Sequence, residues 1–263
     1  MSLIELFIYS FIQGITEFLP VSSSAHLTLL ESVFGWREVG RTFVIAAHLG
    51  TLLTVIFYLR GEIKSILKDI NYKKKYEKNF KLVLNIMIMT IPIIVFGFLV
   101  FKTLDFILLN LQLIAWATIL GALILFISDK SKNNNKTIYD LSYKESLFIG
   151  FMQIFALIPG SSRAGMIITA CRFLKINRTN STQIVLFSGI PTIFCAVILE
   201  LVWLTKNKNE IYNYDLIIVT VLSSLFSYIT IVYLFKWVKE KSFSPFIIYR
   251  LILGILILTI IYF

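Results

Sequence analysis

The sequence predicts an all-α integral membrane protein, an inverted-topology repeat with six transmembrane helices and two re-entrant helical hairpins. Three observations support this fold class. The composition is 57% hydrophobic with a mean hydropathy of +0.82, several apolar stretches are long enough to cross a bilayer, and two short polar strings recur half a chain apart. A soluble protein does not need this much apolar sequence, so a membrane protein is expected.

The two polar strings occupy positions 19–26 and 158–165 and share the frame P-x-S-S-x-A. Their prolines, Pro20 and Pro159, are 139 residues apart. Upstream the match continues with a one-residue slip, which pairs Glu5 with Glu145. Matching polar breaks in the apolar segments of two halves indicate a binding site near the middle of the membrane.

Six apolar spans are predicted to cross the bilayer: 43–59, 82–101, 111–127, 184–204, 216–235 and 246–263. The stretches after the polar strings, 27–34 and 166–174, are too short to cross. Each string is therefore expected to join two half-helices of a re-entrant hairpin. A repeat of one hairpin and three crossings contains an odd number of crossings, so the second copy would be inverted. An alternative with eight crossings, in which the hairpins also cross, stays open.

We expect one membrane domain over 1–263, with repeat 1 at about 1–128, a linker at about 129–141 and repeat 2 at about 142–263. In this topology eighteen of the 25 Lys and Arg residues fall on one side and five on the other. The positive-inside rule then places both termini and the entrance of the first hairpin outside. The first apolar segment has no basic n-region and is expected to be retained.

The net charge of +10 comes from loops that lack base-stacking aromatic residues, so nucleic acid is not an expected partner. Cys171 and Cys195 lack metal-ligand spacing, which argues against a disulfide framework or a zinc site.

Glu17 lies within an apolar hairpin, where a carboxylate costs about 2–3 kcal/mol and should have a partner. Gln13 is four residues earlier, on the same helical face. The two side chains could present oxygens to a hard divalent cation, Mg²⁺ or Ca²⁺. The alternative is a carboxylate that accepts hydrogen bonds from nearby serines and only stabilises the hairpin.

Serines cluster where the second leg of each hairpin should begin: Ser22, Ser23, Ser24, Ser161 and Ser162, with Gly160 beside the last two. Any one of them could be a helix N-cap. Together, two opposed half-helix N-termini form an anion site. Arg163 suits phosphate oxygens there, or it could instead form a salt bridge to Glu17 across the repeat. Since Glu17 and Arg163 come from different halves, the predicted site is composite.

The chain contains two histidines. His26 lies three residues after Ser23 on the same helical face, so its imidazole could activate a serine hydroxyl or a water. For His48 we expect a packing or supporting role.

Three segments resemble motifs of one known family: Gln13-Gly-Ile-Thr-Glu-Phe-Leu-Pro-Val-Ser-Ser-Ser-Ala-His26, Pro159-Gly-Ser-Ser-Arg163 and Ser244-Pro-Phe-Ile-Ile-Tyr-Arg250. They closely resemble the undecaprenyl-pyrophosphate phosphatase family, also known for bacitracin resistance, over essentially the whole chain. The resemblance implies an enzyme of the bacterial inner membrane that removes the terminal phosphate of undecaprenyl diphosphate on the outer face. The product, undecaprenyl phosphate, is the recycled carrier for cell-wall synthesis, and bacitracin acts by sequestering the diphosphate.

The residues and the resemblance together predict a set of roles. Catalytic roles fall to Glu17, Ser23, His26 and Arg163, substrate contacts to Gln13, Ser22, Ser24, Gly160, Ser161 and Ser162, and the divalent cation to Glu17 and Gln13. The nucleophile is left open between Ser23 and water. Ala164 and Ile167 depart from the family pattern, which usually has a serine and a threonine there, with Thr169 two residues later.

The expected partners are the polyprenyl diphosphate lipid and the surrounding membrane lipids, with a homodimer left open. A transporter or flippase of polyprenyl phosphate lipids is the alternative function, because broken half-helices in inverted repeats also build carriers.

Overall fold

The computed structural model describes residues 2–34, 41–71, 77–100, 110–131, 136–206 and 214–262. These ranges contain eleven α-helices: α1 Leu3–Thr16, α2 Ser23–Phe34, α3 Arg41–Tyr58, α4 Arg60–Asn71, α5 Glu77–Val100, α6 Leu111–Asp129, α7 Tyr143–Ile154, α8 Arg163–Phe173, α9 Arg178–Lys206, α10 Tyr214–Glu240 and α11 Ser244–Tyr262. Two 3₁₀ turns cover Ile138–Asp140 and Phe155–Leu157. The described ranges hold a single isolated bridge, Lys136 with Ile176, and no strand, so the all-α prediction is confirmed.

Five helices, α5, α6, α9, α10 and α11, are long and apolar enough to cross a membrane. A sixth candidate consists of α3 and α4, which are bent by 65° relative to each other. These six elements contain the six predicted spans, except for Phe101 and Phe263, which lie outside the described residues. The prediction of a multi-pass membrane protein is therefore confirmed.

The helices that flank the two polar strings are short, with 14 and 12 residues in α1 and α2 and 12 and 11 in α7 and α8. At 1.5 Å per residue they reach about 17 to 21 Å, less than the roughly 30 Å of a bilayer core. The two legs of each pair contact each other. These lengths agree with the predicted half-helices.

Both first legs begin with the same device. Ser2 and Glu5 form a capping box at the start of α1, and Ser142 and Glu145 form another at the start of α7. In each box the serine oxygen and the glutamate satisfy backbone N–H groups that the helix itself leaves unpaired. The sequence match between Glu5 and Glu145 therefore reflects the same N-terminal capping box in two equivalent helices.

The two halves interlock through their long helices. The first leg of each half packs against a long helix of the other half, α1 on α10 and α7 on α5. The halves also meet where α3 packs on α9 and α10, α5 on α9, and α6 on α8 and α11. This exchange of equivalent partners is what a two-fold repeat would produce, and the inverted orientation of the halves stays a prediction.

A buried charge cluster ties together the ends of four helices. The Asp129 carboxylate at the end of α6 accepts hydrogen bonds from Arg172 Nε at 3.1 Å and from Arg178 Nε at 2.8 Å. Its other oxygen accepts from the backbone N–H of Phe243, just before α11, at 3.1 Å. The cluster fixes α8, α9 and α11 relative to α6.

Close helix packing predicts a sharp effect of one methyl group. A Cβ at Gly50 of α3 would lie 2.3 Å from the Thr220 carbonyl oxygen of α10, so Gly50→Ala should destabilise the protein by about 1–3 kcal/mol. Gly61 of α4 has no such neighbour within 4 Å. Gly61→Ala is the matched control and should be neutral or slightly stabilising. Thermal unfolding in detergent measures both, and equal melting temperatures for the two variants would contradict the packing.

Candidate functional site

The Glu17 carboxylate is the centre of a buried polar cluster. Glu17 is the C-cap residue of α1 and is only 8% exposed. Its Oε1 accepts a hydrogen bond from Arg163 Nη2 at 3.1 Å. Its Oε2 accepts from Ser23 Oγ at 3.0 Å and from Gln13 Nε2 at 3.1 Å. The structure thus brings together four of the predicted site residues, three from the first half and one from the second.

Arg163 is the first residue of α8 and divides its guanidinium between two partners. One terminal nitrogen, Nη2, pairs with Glu17, whereas Nη1 lies 3.4 Å from Thr192 Oγ1 on α9. Gly189, one turn earlier on α9, leaves room for it, because a Cβ there would lie 3.1 Å from Nη1. Nη1 has the weaker contact and is the nitrogen best placed to take a further acceptor.

The predicted serines have different surroundings. Ser22 Oγ accepts from Gly160 N–H at 3.2 Å, which joins the two polar strings, and lies 3.1 Å from Ser24 Oγ. Ser162 Oγ accepts from the backbone N–H of Gly165 at 3.1 Å and caps α8. Ser161 is buried, and its carbonyl accepts from a side chain of α11.

Both polar strings contain left-handed backbone directly before a half-helix. Ser22 has φ +73° and Ser162 has φ +67°, although neither is glycine. Such residues cost free energy and persist where surrounding contacts hold them, often at functional sites. Gly160 has φ +95°, and a Cβ there would lie 2.4 Å from the Ile114 carbonyl oxygen, so this position requires glycine.

Arg250 of α11 holds both strings in place. It is fully buried, and its Nη2 donates to the carbonyls of Gly160 at 2.9 Å and Ser161 at 3.0 Å. Its Nη1 reaches the Pro20 carbonyl of the other string at 3.4 Å. Two glycines make room for the guanidinium, Gly121 and Gly165, where a Cβ would lie 2.3 and 2.8 Å from its nitrogens. Sequence reasoning gave Arg250 no role, although it ends the third segment that resembles the family.

The two histidines have different contacts. His26 Nδ1 is 2.7 Å from the Ser22 carbonyl oxygen and Nε2 is 2.6 Å from the Tyr249 hydroxyl. Its role as a base stays a prediction. His48 Nε2 lies 3.8 Å from Glu17 Oε2, and its Nδ1 is 2.8 Å from the Val44 carbonyl. The histidine for which sequence reasoning expected only support thus faces the carboxylate.

The residues that depart from the family pattern point into the protein core. Ala164 and Ile167 are fully buried among apolar side chains. Thr169 is also fully buried, and its hydroxyl has no hydrogen-bond partner among the described residues.

A divalent cation would find two oxygen donors in the cluster. Gln13 is fully buried, and its Oε1 has no hydrogen-bond partner among the described residues. Next to the Glu17 carboxylate, this orphaned oxygen fits a hard cation that keeps water and phosphate oxygens as its other ligands. No group of three or more His, Cys, Asp and Glu side chains suited to a metal occurs in the described part of the chain.

The cluster lies at the polar end of a groove of about 500 Å³ between α5 and α9. Its lining is polar at Glu17, His48, Arg163 and Thr192, and Glu200, two turns after Thr192 on α9, adds a second carboxylate. The apolar lining includes Ile93, Ile94, Gly97 and Phe98 of α5, Leu157, and Ile193, Ala196, Ile198, Leu199 and Val202 of α9. Several of these apolar side chains are also exposed on the outer surface of the helices, Phe98 by 67%. The groove therefore connects the polar cluster with the surface that faces lipid.

The fold and the site together define a multi-pass membrane protein with a buried carboxylate, arginine and serine at the end of an apolar groove. The chain belongs to the family described as bacitracin resistance protein BacA, whose family model matches residues 6–256. It is 38% identical to a protein named undecaprenyl-diphosphatase from Pelagibacter ubique (strain HTCC1062), over 99% of this chain and 98% of that protein. It is 36% identical to undecaprenyl-diphosphatase 1 of Pseudoalteromonas translucida (strain TAC 125), over 97% of both.

The Glu17–Arg163 pair predicts strong coupling between the two halves. Glu17→Gln and Arg163→Gln should each destabilise the protein by about 3–5 kcal/mol, because each leaves a largely buried charge without its partner. The double variant removes both charges and should lose clearly less than the sum. A double-mutant cycle from thermal unfolding in detergent measures this coupling, and additive losses would contradict it.

Proposed function

We propose that this chain hydrolyses undecaprenyl diphosphate to undecaprenyl phosphate and inorganic phosphate, the activity for which its relatives are named. One observation carries the proposal for this chain: the hydroxyl of Ser23 donates to the Glu17 carboxylate, which also pairs with Arg163. A hydroxyl, a base and a cation in contact are the groups that phosphoryl transfer requires.

The groove suggests how the substrate binds. Its apolar part takes the beginning of the prenyl tail, and the rest of the tail stays in lipid. The diphosphate then lies at the polar end, where Arg163 Nη1 and the N-termini of α2 and α8 supply positive charge. Nη2 keeps its contact with Glu17, so the carboxylate remains oriented while the anion binds.

Glu17 is the base that the geometry favours. It accepts the Ser23 proton as Ser23 Oγ forms a bond to the terminal phosphorus, and the bond from that phosphorus to the bridging oxygen breaks. Undecaprenyl phosphate leaves as a stable anion, so the site needs electrostatic stabilisation more than a strong acid. Water then hydrolyses the phosphoserine and restores Ser23. The rival route is direct attack of water with Glu17 as base.

A divalent cation on Gln13 and Glu17 would neutralise phosphate charge when bound, which is the chemistry that Mg²⁺ or Ca²⁺ supplies to phosphoryl transfer. The chain itself contributes the orphaned Gln13 Oε1 and the carboxylate.

We place the protein in the bacterial inner membrane with both termini and the first hairpin entrance outside, as the distribution of Lys and Arg predicts. There it would recycle the cell-wall lipid carrier and lower the diphosphate pool that bacitracin sequesters. The relatives are named for hydrolysis and the serine contacts a base, so the transporter alternative is not favoured.

Substitutions at the cluster should abolish phosphate release. With undecaprenyl diphosphate in detergent, Arg163→Ala should lower kcat by about 10²–10³-fold, the usual loss when a group that stabilises transition-state charge is removed. Ser23→Ala should lose at least as much if serine is the nucleophile. Ser10→Ala is the matched control: its hydroxyl donates to the Leu6 carbonyl within α1, at 2.7 Å, and its loss should leave turnover unchanged.

The outcomes separate the hypotheses. Near-normal turnover in Arg163→Ala would contradict the assignment of this cluster as the active site. A small loss in Ser23→Ala, with no phosphate retained on the denatured wild type after a single turnover, would favour water as the nucleophile. A folded wild type that binds the lipid but releases no phosphate would favour the transporter.

The cation makes a separate prediction. A chelator should abolish phosphate release, and added Mg²⁺ or Ca²⁺ should restore it. Gln13→Leu removes one oxygen donor at nearly constant volume, so the cation concentration for half-maximal activity should rise by about tenfold. Activity that is insensitive to chelator in both proteins would contradict a cation at Gln13 and Glu17.

A further inference from the structure

A chain of contacts runs from the last helix to the serine of the cluster. The Tyr249 hydroxyl of α11 lies 2.6 Å from His26 Nε2, and the two rings stack with centroids 5.6 Å apart and planes 2° from parallel. On its other side, His26 Nδ1 lies 2.7 Å from the Ser22 carbonyl oxygen. Both ring nitrogens of His26 therefore have partners.

The partners determine which nitrogen carries the proton. A carbonyl oxygen only accepts, so Nδ1 must be the donor to Ser22. In the neutral ring Nε2 is then the acceptor, and the Tyr249 hydroxyl donates to it. The Ser22 carbonyl thus fixes the tautomer, and the Tyr249 hydroxyl holds the ring through its other nitrogen.

The Ser22 carbonyl belongs to the peptide unit that orients Ser23. Ser22 adopts φ +73°, a region that a non-glycine residue enters at a cost. Its carbonyl shares one planar peptide unit with the N–H of Ser23, so a bond to that oxygen fixes the orientation of the peptide. Ser23 is the first residue of α2 and donates to Glu17 at 3.0 Å.

We propose that Tyr249 and His26 are positioning residues that hold the Ser22–Ser23 peptide so that the Ser23 hydroxyl stays against Glu17. This inference rests on the proposed function and assigns His26 a different task from the base that the sequence predicted. A base for Ser23 needs a ring nitrogen directed at its hydroxyl, whereas the described contacts direct one nitrogen to the Ser22 carbonyl and the other to Tyr249. The proton of Ser23 goes to Glu17.

Two substitutions at His26 separate positioning from proton transfer. The amide nitrogen of asparagine can replace Nδ1 as donor to the Ser22 carbonyl but cannot accept a proton near neutral pH. His26→Asn should therefore keep at least tenfold more kcat than His26→Ala, with KM within about twofold of wild type in both and no change in the pH profile of His26→Asn. Equal and severe losses in both variants, with loss of an ionisation from the pH profile, would make His26 the base and overturn the proposal.

Tyr249→Phe tests the outer contact, because it keeps the ring and its stacking but removes the hydroxyl. We expect kcat to fall by about three- to tenfold with little change in KM. Tyr228→Phe is the control, since Tyr228 lies on α10 with its ring against Phe57 and Tyr58, and it should turn over as wild type. In the His26→Asn background, which has no Nε2, Tyr249→Phe should cause little further loss. Wild-type kcat for Tyr249→Phe, or a full additional loss in that background, would overturn the proposal.

The same assay separates this inference from the proposed function. If folded wild type releases no phosphate, the proposed hydrolysis fails and the positioning role falls with it. If wild type is active and His26→Asn matches His26→Ala, only the positioning role is overturned. Should His26→Ala fail to fold, the comparison of Tyr249→Phe with Tyr228→Phe decides alone.

Discussion

The site depends on the backbone carbonyls that the two broken hairpins leave without helical partners. In lipid such groups cost several kcal/mol unless something donates to them. One buried guanidinium, that of Arg250, donates to carbonyls of both strings, and Gly160 N–H donates across to Ser22. The fixed geometry of five donors on one planar group makes arginine suited to this task. The broken backbone can then stay deep in the protein, where Glu17 and Arg163 meet.

The central ion pair of Glu17 and Arg163 satisfies two buried charges in the same way. Neither half contains both partners, since Glu17 ends a helix of the first half and Arg163 begins one of the second. Each would be costly alone in an apolar environment, and together they largely cancel. The pair therefore fastens the halves in the absence of substrate. It also keeps a base and a cation next to each other, with Arg163 Nη1 placed to take an anion.

Local sequence patterns predicted the helices and membrane spans. The features that sequence reasoning missed are contacts between residues far apart in the chain. Apolar runs predicted the spans, but α9 begins at Arg178, before the predicted residue 184, because hydropathy does not detect a polar first turn. Repeated motifs predicted that Glu17 and Arg163 belong to one site. His26 with Tyr249, and Arg250 with the carbonyls, lie 89 to 230 residues apart and follow no local period. No pattern in a single sequence indicates such pairs.

Because the groove opens toward lipid, the protein should respond to the concentration of substrate within the membrane and not to its bulk concentration. Its apolar walls run from the polar cluster to side chains on the membrane surface, such as Phe98. A substrate with a long tail can then reach the site by lateral diffusion, without leaving the bilayer. The saturation of the site should follow the mole fraction of substrate among the surrounding lipid or detergent. Diluting the micelles with more detergent at constant bulk substrate should therefore slow the reaction, as surface-dilution kinetics describes.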